Sequence, residues 1–243
     1  MIFHRNGIQR VDSTVPRSHS YVRMTVARLW ESSPLLLLAS FVFTVLCAPA
    51  CVLFLCGLFI PAIAVGTLTI PPAWAALLVL EAAVAQGSRA NIGMLFRALP
   101  RLWSRSVALG LPASTLALIA LFTLPLLTVP EASSVVLPGL VADASLAGVL
   151  VSLYLYAFPL LGLHNLSLCT ALRNAAILAS RHISNTLGLL GMAILFAMAI
   201  CYLSSGLLFI LPSVWGLFIV NNCRMVLDEE LTPAEKLQNE PEQ

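Results

Sequence analysis

Charge is scarce in this sequence. Asp, Glu, Lys and Arg together make up 10% of its 243 residues, against about 25% in soluble domains. That excludes an ordinary soluble fold, which would have too little polar surface to cover it. No acidic or basic residue occurs between 34 and 80. Residues 1–20, "MIFHRNGIQRVDSTVPRSHS", carry basic residues but no apolar run of a secretory signal, and are expected to form a flexible cytoplasmic N-terminal lead.

Patterns that carry chemistry are lacking too. There is no P-loop, no H-E-x-x-H and no paired carboxylates, and Ser204 and Ser205 have no Gly-x-Ser-x-Gly setting. No catalytic residue, metal ligand or cofactor is therefore assigned, and the chain is expected not to be an enzyme. The six cysteines form no C-x-x-C pair. Cys47 and Cys51 share a helix face, but two thiols without a nearby histidine make a poor metal site. All six read as small apolar packing residues. His164 and His182 flank one basic segment, and eighteen helical residues would hold them about 27 Å apart. They read as interfacial polar residues.

What the chain has is apolar length. Hydrophobic residues make up 59%, which defines an integral membrane protein. At about 20 residues per crossing, 34–80 supplies two spans, with a turn expected near "GLFIPAIAVGTLTIPP" (57–72). Residues 107–128 form a third span, its exit marked by Pro130, Glu131 and Pro138. A fourth covers about 146–163, after Asp143. Residues 185–220 are charge-free but short for two crossings, so two short or tilted helices are expected, with the turn at "YLSSG" (202–206). The alternative is a single crossing, which makes five spans in all.

In the six-span reading all thirteen basic residues fall on one side, and the opposite loops hold only Glu131 and Asp143. The positive-inside rule makes the basic side cytoplasmic. The basic segments are also amphipathic. In 91–105, Ile92, Leu95, Phe96, Leu99, Leu102 and Trp103 follow a helical stripe, while Arg97, Arg101 and Arg105 step by four along another. Pro100 is expected to kink any helix through it. Comparable segments carry Arg23 and Arg28 before span one, and Arg173 and Arg181 before span five. Each is expected to lie at the cytoplasmic interface, apolar face in lipid and arginines toward anionic headgroups. The arginines are too few and too interleaved with apolar side chains to suggest nucleic acid.

The expected fold is thus all-α: about six transmembrane helices in three hairpins, each preceded by an interfacial amphipathic helix. The transmembrane domain is 21–227 and an acidic cytoplasmic tail is 228–243, where Thr232-Pro233-Ala234-Glu235 offers a capping-box start for a short helix. "ARLWESSPLLLL" (27–38) and "PRLWSRSVALGL" (100–111) share Arg-Leu-Trp at matching places, and "ASRHISNTLGLL" (179–190) repeats the layout.

Several stretches carry a resemblance. They are "IPAIAVGTLTIPPAWAAL" (60–77), Gly87, "FRALPRLWSRSVALGL" (96–111), "LYAFPLLG" (155–162) and "ALRNAAILASRHISNTLGLL" (171–190). Over roughly 22–227 the chain resembles the YesL-like family, bacterial membrane proteins grouped as a domain of unknown function. The resemblance implies a multi-pass protein of the cytoplasmic membrane with no established activity. It also implies an accessory role near carbohydrate ABC importers.

A rival signal is "EAAVAQGSRANIGMLFRALP" (81–100), which has the spacing of the cytoplasmic loop by which importer permeases grip their ATPase. Gln86 replaces the usual acidic residue, Met94 stands for Phe, Arg97 stands at an apolar position, and about four spans follow instead of two. The likeness is read as accidental. Glu81 is still the one acidic residue within a confident span, and an intramembrane carboxylate is a functional candidate by default. The favoured reading has it snorkel toward Arg89 or water, since it lies about 9 Å from the helix end. Glu81 and Gly87 are the candidate functional residues. The expected function is a non-catalytic accessory or scaffold subunit. Its expected partners are the bilayer and a membrane protein or second copy of the chain. The alternative is a transporter subunit, either a permease or a secondary carrier.

Overall fold

A computed structural model describes residues 30–88, 90–128, 133–164, 166–202 and 205–238. The lead at 1–20, Arg23, Arg28, Arg89, Glu131 and Ser204 lie outside them. Among the described residues seven α-helices follow one another: α1 Ser33–Leu55, α2 Phe59–Ala85, α3 Gly93–Thr123, α4 Ser133–His164, α5 Leu168–Arg181, α6 Ile183–Tyr202 and α7 Leu211–Gln238. Short 3-10 turns, Leu124–Thr128 and Ser205–Phe209, end α3 and precede α7. No strand occurs among the described residues. Five segments of the described residues are long and apolar enough to cross a membrane: Ser33–Leu55, Phe59–Ala85, Gly93–Leu126, Val136–Leu163 and Ile183–Ile200. A sixth, Leu211–Leu227, is apolar but shorter.

The helix ends have local causes. Gly57 and Gly87 have φ of 77° and 66°, the left-handed conformation that costs a side chain but not glycine. Gly87 N–H donates to Val84 O (2.9 Å) and Ser88 N–H to Ala83 O (3.1 Å), while Gly57 N–H donates to Phe54 O and Leu58 N–H to Leu53 O, both 3.0 Å. Each pair is a Schellman closure that satisfies the last carbonyls of its helix. The first turn therefore falls at 56–58, at the edge of the expected stretch. Pro71 and Pro72 do not end α2, which runs through both. Packing compensates, because α3 presses so close that a methyl at Gly110 would strike the Pro71 ring.

Residues 93–105 are likewise not a separate interfacial helix. They are the first turns of α3, continuous through Pro100 into the third span. Leu95, Ala98 and Leu102 are buried in the core and hold both halves on one axis. Their side of the amphipathic stripe faces protein, and Phe96 and Trp103 stay exposed. The segment before α6 is a separate helix, α5, as expected. Ser167 caps it by accepting from Thr170 N–H (3.4 Å). Its apolar residues Ala171, Ala175 and Leu178 are buried within the protein, so this face is not in lipid. The break at Tyr202 falls within the expected 202–206. Beyond it α7 runs unbroken through Thr232 and Pro233 to Gln238, with no new helix start there.

The core is built around α2, which packs against α1, α3, α4 and α7. Its second half is buried almost all round, and Ala73, Ala75, Ala76, Ala82, Ala83 and Ala85 are among its buried residues. Small side chains let four neighbouring backbones come close.

Candidate functional site

The segment 81–85 is the end of this central helix. Glu81, Ala82 and Ala83 are 0%, 2% and 6% exposed. Glu81 therefore neither snorkels to water nor presents itself at a surface, which corrects the expectation for it. The expected depth was about 9 Å, counted from Gly87; the helix ends at Ala85, which leaves four residues or about 6 Å. Lateral burial by α7 was not visible in that count. Gly87 lies just past the helix end, and its positive φ gives it a structural reason to be glycine.

The carboxylate of Glu81 rests on α7 at Gly216, where any Cβ would collide with it. Gly216 is the one residue type that leaves room for this contact. One turn earlier on α7, the Ser213 hydroxyl lies beside the same carboxylate. That hydroxyl has a single proton and donates it to Leu36 O (2.9 Å), so it is a neighbour of Glu81 and not a donor to it. Neither carboxylate oxygen has a hydrogen-bond partner among the described residues. Ser213 is tied to α1 as well: its N–H donates to Ser40 Oγ (3.0 Å), and Ser40 Oγ lies 2.7 Å from Ser213 Oγ. Ser40 and Ser213 are both buried. A compact polar cluster thus joins α1, α2 and α7.

A second polar knot lies two turns further along α7. Asn222 Nδ2 donates to the Tyr156 hydroxyl (3.4 Å), which also pairs with Thr186 Oγ1 (3.1 Å). It brings α4, α6 and α7 together. Between them and α1 and α2 lies an apolar cavity of about 400 Å³, lined among others by Phe43, Trp74, Phe158, Phe196 and Trp215. Trp74 and Trp215 pack against each other in its wall, with ring centroids 5.2 Å apart. The Trp215 indole N–H is buried with no partner among the described residues.

The basic residues take other places. Arg97, Arg101, Arg105, Arg173 and Arg181 are all exposed, and Arg105 donates to Leu166 O (3.5 Å). None of them is brought to the Glu81 cluster. Cys47 and Cys223 are buried, whereas Cys51, Cys56 and Cys169 are exposed, so only part of the set packs in the interior. No group of three potential metal ligands occurs among the described residues. Sequence reasoning missed Ser40, Ser213, Gly216, Tyr156, Thr186 and Asn222. Their one signal was polarity or smallness inside a charge-free run, which many residues here share.

An all-helical chain with five membrane-length apolar helices is consistent with a multi-pass membrane protein. No protein-family model, no curated protein and no solved structure matches it.

Proposed function

We propose that this chain is a six-crossing protein of the bacterial cytoplasmic membrane with both termini in the cytoplasm, acting as a non-catalytic accessory or scaffold subunit. The observation that carries the choice over an ATPase-gripping permease is the burial of Glu81, Ala82 and Ala83 inside the bundle. A docking loop must offer those residues to a partner, and here they are covered by the chain's own helices. The YesL-like resemblance supports an association with carbohydrate uptake. The exposed arginines suit anionic headgroups, each worth about 1 kcal/mol near such a surface.

Affinity purification from native membranes tests this reading. An integral membrane partner or a second copy is expected, with no stoichiometric ATP-binding subunit. A stable complex with an ATP-binding subunit, lost in Gly87→Val, would make the chain a permease. Sidedness is tested with a variant keeping only Cys169, which is exposed. It should resist an impermeant thiol reagent on intact spheroplasts and react after permeabilisation. Cys223 is fully buried and should stay silent from either side while the protein is folded.

A secondary carrier is the second reading, favoured by the gathering of Ser40, Ser213 and Glu81 within the apolar depth of the bundle. Carriers place polar groups there, at interrupted helices.

A further inference from the structure

The crossing that follows α6 is interrupted. The Tyr156 hydroxyl joins Thr186 of α6 to Asn222 of α7, so these two residues stand at one level. From that level α6 rises sixteen residues to Tyr202, about 24 Å at 1.5 Å per residue. The return path is a 3-10 turn and then α7 from Leu211. Ser213 stands nine residues before Asn222, hence about 13 Å above the shared level. The interruption therefore lies within the apolar depth of the bundle.

At that depth an interrupted helix frees backbone groups, which must find partners. Hydroxyls of α1 supply them. Thr44 Oγ1 divides its one proton between Ser40 O (2.9 Å) and Leu208 O (3.1 Å), Ser40 Oγ donates to Ser213 Oγ (2.7 Å) with Ile210 O further off at 3.4 Å, and Ser213 N–H donates to Ser40 Oγ. One turn on, at Gly216, sits the Glu81 carboxylate with both oxygens unpartnered. Isolated charge in such surroundings costs several kcal/mol, so the carboxylate needs a positive charge beside it. Among the described residues there is none. Arg97, Arg101 and Arg105 on α3 are exposed, Arg224 on α7 is two turns beyond Gly216, and Asp143 on α4 is acidic. None of the basic groups bonds to Glu81.

We propose that Glu81, Ser40 and Ser213 form a binding site for a small monovalent cation, a proton or a sodium ion, where α1 and α2 meet the interruption before α7. A proton would sit on one Glu81 oxygen and needs no further ligand. A sodium ion would draw on Glu81, both serine hydroxyls and the Ile210 carbonyl. Unwound backbone carbonyls at broken helices coordinate such cations in transporters, and the carboxylate and hydroxyls here add oxygens of the same kind. The site stands whether the chain carries a substrate or only anchors a partner, so its failure would leave the scaffold reading untouched.

Dicyclohexylcarbodiimide tests it on the full chain in lipid nanodiscs. A protonated carboxyl adds across the N=C=N bond. Its oxygen goes to the carbon and its proton to a nitrogen, and the acyl group then migrates to give a stable N-acylurea with nothing lost. Peptide mass spectrometry should find the adduct on Glu81, with Glu81→Gln unlabelled. If the occupant is a proton, labelling falls as pH rises, by about tenfold per pH unit beyond its titration, and ignores sodium. If it is sodium, sodium chloride suppresses labelling where potassium and choline chloride do not, and Ser213→Ala weakens that protection. Thermal unfolding is the second readout: the wild-type midpoint should depend on pH or sodium, and Glu81→Gln should remove that dependence while keeping the fold. Two results overturn the proposal. One is labelling indifferent to both pH and sodium. The other is no adduct together with superimposable unfolding behaviour of wild type and Glu81→Gln across both series.

Discussion

Helices α2 and α6 have the same mean hydropathy, yet they occupy opposite situations. Fourteen residues of α2 are buried, while Thr186 and Leu189 are the only buried ones among the described side chains of α6. Leu187, Ile194, Leu195 and Met198 of α6 are exposed instead. Hydropathy measures transfer out of water, and both lipid and protein interior satisfy it. What separates the two helices is side-chain size. The alanines of α2 let four helices close on it, and the leucines and isoleucines of α6 fill space that lipid fills equally well.

Enlarging the centre should break the comparison most sharply. Ala75 and Ala76 have no exposed surface, and extra methylenes in a close-packed core cost about 1–3 kcal/mol per site. Ala75→Leu with Ala76→Leu should lower the unfolding midpoint strongly or abolish folded protein, whereas Ala197→Leu on α6, at an exposed residue bordering the apolar cavity where there is room, should be near neutral. Equal tolerance at the two places, measured by thermal unfolding in detergent, would mean that α2 is not the centre of the bundle.

The end of α2 gives the next effect. Gly87→Val places a β-branched residue at a φ of 66°, which costs about 1–2 kcal/mol. A lower midpoint with intact membrane insertion is expected. An unchanged midpoint would show that the Schellman closure does not hold the end of α2 in place.

The smallest effect should be favourable. A Cβ at Gly188 of α6 meets nothing within 4 Å, so Gly188→Ala should stabilise by about 0.5–1 kcal/mol through helix propensity alone. A loss of stability there would mean that α6 is covered by another surface, and would sharpen the search for a partner on that face.

Much of the architecture was legible in the sequence. The charge-free runs marked the apolar helices only in part: α3 starts at Gly93 and α4 at Ser133, well before the expected 107 and 146, and α4 runs through Pro138 and Asp143, which were expected in the loop. Gly57 fell within the stretch where the first turn was expected, and "YLSSG" contained the end of α6. The arginines of 91–105 are exposed, as a headgroup role would require, but the apolar stripe beside them was assigned to lipid and in part lies in the core. Amphipathicity reports that one face avoids water and does not say what covers it. Pro100 was likewise overrated as an interruption, because core packing on both sides of it holds one continuous helix. The candidate site was legible only at Glu81. Its position was visible as the lone carboxylate in a confident span, and its surroundings were not.

The sequence by itself determined that this is an apolar helical chain, roughly where most of its apolar runs fall, and that its charge sits in a few segments. It did so because burying backbone and side chains away from water follows from composition and local order. Only the tertiary structure decided that α2 is central, that its carboxylate lies against Gly216, and that Ser40 meets Ser213 across 173 positions. In an apolar medium no gradient of hydrophobicity sorts one helix against another. Their pairing is left to shape and to a few polar contacts between residues far apart in the chain.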